Sequence, residues 1–100
     1  MRFSAWYPAE EIAERAPRGE GVFQVRAAGL LQYPRGKSAM VHYEAAPDMQ
    51  AAMLAWADAK GDDGYLYRHV GDLGRFTPAE ALERVMSRFV DRFGSAPKVG

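Results

Sequence analysis

Hydrophobic positions along this 100-residue chain change period several times, and each change marks an element. Two-residue alternation occupies Val22–Ala27, with Phe23, Val25 and Ala27 on one face and Val22, Gln24 and Arg26 on the other. It returns over Ser38–Ala45, where Ala39, Val41, Tyr43 and Ala45 oppose Met40, His42 and Glu44. A third alternating run, Tyr65–Val70, sets Tyr65, Tyr67 and His69 against Leu66, Arg68 and Val70. These runs predict three strands. Tyr33-Pro34-Arg35-Gly36 joins the first two as a type I turn, with Pro second and Gly fourth. Leu30–Tyr33 extends the hairpin, and Gly29 predicts a bend or bulge before it.

Helical spacing fills the remainder. Met49, Ala52, Met53 and Trp56 form a stripe on a helix opened by Pro47-Asp48 and closed near Lys60 and Gly61. GDDG at 61–64 reads as a solvated turn, with Asp62 and Asp63 as turn residues rather than metal ligands. Thr77-Pro78-Ala79-Glu80 has the form of a capping box with Pro at the first helical position. The helix behind it carries Leu82, Val85, Met86, Phe89, Val90 and Phe93 and stops at Gly94 and Pro97. Glu80 and Arg84 stand at ion-pair spacing. Near the start, Pro8 and the acidic Glu10-Glu11 predict a short helix over Pro8–Ala16. The expected order is α-β-β-α-β-α: one α+β domain over residues 1–100, with a small three-stranded, mainly antiparallel sheet flanked by helices. Residues 1–19 form an N-terminal helical segment and 20–98 the core.

Composition narrows the function classes. The chain has no cysteine, which excludes thiol catalysis, cysteine-ligated zinc and disulfides. Two histidines exclude a three-histidine metal site. No apolar run approaches the ~20 residues of a membrane span. The first residues, MRFSAWYPAEEIAER, lack a signal peptide's apolar centre, so a cytoplasmic protein without membrane association is expected. Thirteen basic residues balance thirteen acidic ones, and each half of the chain is also balanced. Such balance speaks against a strong DNA binder and leaves room for a local basic patch.

Three groups of residues carry candidate chemistry. His42 and Glu44, two apart on a strand, project to one face and can share a proton or ligand, with Tyr43 between them. Arg35 and Lys37 bracket the hairpin turn, and Arg26 and Arg68 lie on strands. Beside Tyr33, Tyr43 or Tyr67 they would suit a nucleic-acid strand by charge and stacking. Met40, Met49, Met53 and Met86 read as core filling.

Taken together, Gly21-Val22-Phe23 on the first strand, His42-Tyr43-Glu44 on the second and Glu83 within Ala81-Leu82-Glu83-Arg84 resemble the GIY-YIG nuclease family. Phe93-Gly94-Ser95-Ala96-Pro97 is similar to the family's Pro-containing finish, and the element order is compatible. The resemblance covers residues 20–98 and implies a three-stranded sheet, a divalent metal (Mg²⁺ or Mn²⁺) on Glu83, and phosphodiester cleavage. The chain departs from the pattern at the chemistry. Phe23 lacks the family tyrosine's hydroxyl, Glu44 stands where the family has glycine, and the helix Met49-Gln50-Ala51-Ala52-Met53-Leu54-Ala55-Trp56 has no arginine. A divergent, catalytically inactive module needing no cofactor is therefore expected, binding nucleic acid or another protein. Its ligand surface would be the His42–Glu44 face, rimmed by Arg35, Lys37 and Arg68. The alternative is a divergent metal-dependent nuclease using His42, Tyr43, Glu44 and Glu83. A homodimer through the hairpin or the Trp56 helix is a further expectation.

Overall fold

The computed structural model describes residues 1–61 and 63–99. Its elements are β1 (Tyr7–Pro8), a 3₁₀ turn (Ala9–Glu11), α1 (Ile12–Arg15), β2 (Gly21–Tyr33), β3 (Gly36–Ala46), α2 (Met49–Lys60), β4 (Leu66–Val70) and α3 (Pro78–Phe93). The four strands form one antiparallel sheet in the order β1-β4-β2-β3. The α+β class holds, while the three-stranded count is corrected to four. The added strand is the dipeptide Tyr7–Pro8, paired with Tyr67 and Leu66. Two residues are too few to show alternation, and Pro8 at a strand edge lacks only a donor the edge does not use. The first helix shortens accordingly, beginning as the 3₁₀ turn and becoming α-helical only over Ile12–Arg15.

The hairpin β2–β3 is the spine of the domain. Tyr33 faces Gly36 across a two-residue turn, and the ladder runs down to Gly21 opposite Ala46. Its register shifts between Arg26 and Leu31, the stretch holding Gly29, and again where Val25 pairs His42 while Arg26 pairs Met40. The second shift leaves Val41 without an opposite residue, as in a β-bulge.

Opposed residues of an antiparallel ladder share a face, so the sheet divides the side chains into two layers. One layer packs under α1 and α2: Phe23, Val25, Val41 and Tyr67 meet Ile12, Met49, Met53 and Trp56. Asp48 caps α2 by accepting from the Ala51 N–H at 3.0 Å, and Met49, Met53 and Trp56 are its buried stripe. The other layer packs under α3, where Val22 and Val70 meet Leu73, Ala81 and Val85. The Thr77–Glu80 capping box forms in full, and Gly94 ends α3 in the left-handed conformation at φ 87°. The α3 apolar face is narrower than its sequence suggests, since Val90 is exposed and Phe89 fills the buried position beside it. Of the GDDG turn, Asp63 is exposed and Asp62 lies outside the described residues.

Candidate functional site

The sheet separates the residues singled out in the sequence. His42 and Glu44 do share a face: the His42 Nε2–H donates to a Glu44 carboxylate oxygen at 2.8 Å. The His42 ring stacks on Trp56 of α2, centroids 5.4 Å apart, and approaches Phe23 at 5.9 Å. Tyr43, one residue along, points to the opposite layer and meets Phe89 of α3 edge-on at 5.7 Å. Arg68 also lies on this α3 side, because it pairs across the sheet with Gln24, itself opposite Tyr43. The expected triad His42, Tyr43 and Glu44 is thus split between faces. The expected rim also breaks up.

Arg35 is committed elsewhere. Its guanidinium Nη2 donates to the Val90 and Asp91 carbonyls at 3.0 and 2.8 Å, and its main-chain N–H donates to the Phe93 carbonyl at 3.0 Å. These carbonyls belong to the last turn of α3, where Val90 also accepts from the Gly94 N–H at 2.8 Å, and a cation there suits the helix dipole. Arg35 therefore caps a helix. Lys37 is exposed beyond the turn.

Glu83 is exposed on α3, across the sheet from His42 and Glu44. It shares a 440 Å³ depression with Glu80, Arg84, Ser87, Arg88 and Phe76. The Glu80 carboxylate is already accepting from the Thr77 N–H at 2.9 Å, and this bond holds its pKa below the ordinary carboxylate range. The Glu80–Arg84 ion pair expected from spacing does not form for the same reason, and Arg84 lies instead over Phe76 at 4.8 Å. One uncommitted carboxylate beside two arginines is a poor fit to a hard divalent cation, which takes several oxygen ligands. Among the described residues no group of three or more potential metal ligands gathers.

A different constellation does converge. Between the sheet and α3 runs a groove of about 500 Å³, with Gln24, Tyr43 and Arg68 on the sheet side and Arg84, Arg88 and Arg92 along the helix. The three helix arginines recur every fourth residue, so they follow one edge of α3 at roughly 6 Å intervals. Phe3, Phe76, Phe89 and Phe93 supply apolar walls. Among the described residues, none of the four groove arginines has a carboxylate within ion-pair distance.

Arg68 is the most firmly positioned of the four. Its Nε donates to the Gln24 Oε1 at 2.7 Å, and its guanidinium lies over Trp6 at 4.4 Å and Phe3 at 4.8 Å. Arg26 approaches the same Trp6 ring at 5.5 Å, and its Nε is buried without a hydrogen-bond partner. Burial pushes the Arg68 pKa down; Tyr43 raises it and Arg26 lowers it further. Burial also pushes Tyr43 up to about 12, against the pull of Arg68, so its phenol stays neutral and able to donate. Positive charge thus concentrates on this face, and none of these arginines is held in an ion pair. Such a site favours an anion, and its aromatic surfaces favour one that carries rings.

Sequence reasoning found Arg68 and Tyr43 but missed Arg84, Arg88 and Arg92. Their four-residue period is present in the sequence, interleaved with the apolar stripe of the same helix. Trp6 and Phe3 carried no signal, because only the β1–β4 pairing brings the first residues onto this face. No protein-family model, curated protein or solved structure matches the chain.

Proposed function

We propose that this protein is a non-enzymatic binding module that holds a single strand of nucleic acid in the groove between α3 and the sheet. The observation that carries this reading is the row Arg84, Arg88 and Arg92 facing Arg68, without carboxylate partners and beside aromatic side chains. Guanidiniums take phosphate oxygens as paired donors, and base–aromatic stacking adds about 1–3 kcal/mol per base without reading sequence. Tyr43 and Gln24 supply polar groups at the groove floor. The zero net charge accords with a local footprint and modest affinity, rather than a surface that attracts any polyanion.

A GIY-YIG-like arrangement without the family's cleavage chemistry is part of the proposal. Cleavage would require a base, a metal ligand and a phosphate-binding cation around one bond. Here His42 faces α2, Tyr43 faces α3, and Glu83 lies outside the groove on a neighbouring depression. The groove has the features of a strand holder: cations, rings and neutral donors.

The test is fluorescence anisotropy with short labelled single-stranded DNA and RNA across a salt series. Four arginine–phosphate contacts predict a log–log salt slope of about −3. Replacing Arg84, Arg88 and Arg92 together by alanine is expected to abolish the salt-sensitive binding while the circular dichroism spectrum is retained. No binding at low salt, or binding indifferent to the triple substitution, would overturn the proposal.

A further inference from the structure

We propose that β3 pairs with β3 of a second copy of this chain, antiparallel, about a two-fold axis passing beside Tyr43. The inference rests on the open edge of the sheet and is independent of the groove's ligand.

β3 is the outermost strand beyond β2. Among the described residues, the main-chain groups of Val41–Ala46 make no hydrogen bond outside the β2–β3 ladder. An edge strand offers its free N–H and C=O groups to any chain that can lie alongside, and proteins usually guard it with lysine, proline or a bulge. In β3 the guards, Lys37 and the bulge at Val41, sit toward the turn. The segment His42–Ala46 has neither. At the turn end the Met40 carbonyl accepts from the Tyr33 hydroxyl at 2.5 Å, so it is already occupied.

The occupant follows from the charge pattern. With Tyr43 on the axis, His42 stands opposite Glu44 of the second copy, and Glu44 opposite its His42. Opposed side chains share a face, so the two His–Glu pairs add to the 2.8 Å contact already present within each chain and close a ring of four alternating groups. Sliding the register one step in either direction opposes His42 to His42 or Glu44 to Glu44, which is unfavourable. The strand is thus self-complementary in one register, as an isologous two-fold contact requires. An axis normal to the sheet keeps both α3 grooves on the same side of an eight-stranded sheet.

Analytical ultracentrifugation over a concentration series tests the pairing. The unmodified chain is expected to dimerise reversibly. Glu44→Lys replaces the acceptor opposite His42 by a second donor, and His42→Glu sets carboxylates opposite each other across the axis, so each should weaken the dimer by about tenfold or more. The double variant H42E/E44K places opposite charges across the axis, with acceptor and donor exchanged, and should recover dimerisation. Hydrogen exchange on the unmodified protein gives an independent reading: the Val41–Ala46 amides that face away from β2 should slow as concentration rises. A monomer at millimolar concentration, single variants that dimerise like the parent, or a dimer leaving those amides unprotected would each overturn the inference.

Discussion

The Arg68 guanidinium lies 4.4 Å from the centre of the Trp6 ring, joining the first residues of the chain to the fourth strand over the α3 groove. Phe3 approaches the same guanidinium at 4.8 Å, and Gln24 accepts from its Nε at 2.7 Å. A cation held over an aromatic face is worth about 0.5–2 kcal/mol, more as water is excluded. Trp6→Ala is therefore expected to destabilise the fold by about 1–2 kcal/mol, and Trp6→Phe by less. A double-mutant cycle between Trp6→Ala and Arg68→Ala, read by urea denaturation, should give a coupling of about 1 kcal/mol. A coupling near zero would mean that the two stack without energetic consequence.

Arg35 separates a structural role from a binding one. It donates to the Val90 and Asp91 carbonyls, so Arg35→Ala leaves two α3 end carbonyls without that partner and removes a cation from the negative end of the helix. A stability loss of about 1–2 kcal/mol is expected, visible as a lower urea midpoint with an unchanged slope. Nucleic-acid affinity of the folded variant should match the parent. A large loss of affinity with unchanged stability would return Arg35 to the ligand surface.

Much of this fold could be read directly because the signals were local. Thr77 and Glu80 name a helix start by their own hydrogen bonds, Asp48 does the same for α2, and Pro34 and Gly36 define the turn. The alternating faces of β2 over Val22–Arg26 follow from periodicity, whereas in β3 the bulge turns Val41 to the α2 layer, away from the Tyr43 and Ala45 it was expected to join. What stayed hidden depends on distant partners. Tyr7–Pro8 becomes a strand only because β4 offers an edge, and Arg35 reads as a free loop cation until α3 ends beside it. The candidate site was legible in part for the same reason. Periodicity placed His42 beside Glu44, but which helix covered which face decided that Tyr43 and Arg68 belong with Arg84, Arg88 and Arg92.

Stability should fall at both ends of the pH scale, through groups on either side of one contact. The Tyr7 hydroxyl lies 2.7 Å from the His69 Nδ1 and 3.4 Å from the Met53 sulfur. Burial lowers the His69 pKa, so between its folded value and the ordinary one near 6.5 the unfolded chain binds more protons. The stability supplied by neutral His69 is present above about pH 6.5 and is lost as pH falls below it. Burial raises Tyr7 and Tyr43 from 10.0 to about 12, so above pH 10.0 the unfolded chain loses phenolic protons that the folded chain keeps. Stability then falls from pH 10.0 towards about 12. Melting temperatures across pH should show both limbs, with Tyr7→Phe flattening part of the alkaline one and His69→Gln part of the acidic one. Limbs unchanged in these variants would assign them to other groups.

Gly21 is predicted to be the least replaceable small residue in the sheet. A Cβ built there would lie 2.3 Å from the Val70 carbonyl oxygen and 2.6 Å from both the Cε and the sulfur of Met49. Real contacts at such distances do not occur, so something must move. The methionine end is flexible and could yield, but the carbonyl belongs to β4 and is held in the sheet by the Val22–Val70 pairing. Gly21→Ala is expected to cost about 3 kcal/mol, at the upper end for overpacking a core. Adding Met49→Ala should not rescue it, because the carbonyl clash remains and a cavity is added. Urea denaturation of the single and double variants checks both statements, and recovery in the double variant would show that Met49 alone forbids the side chain. Steric exclusion is sufficient to require glycine at the first position of the Gly21-Val22-Phe23 triplet. Its presence there therefore follows from β2–β4 packing, whatever chemistry the strand supports.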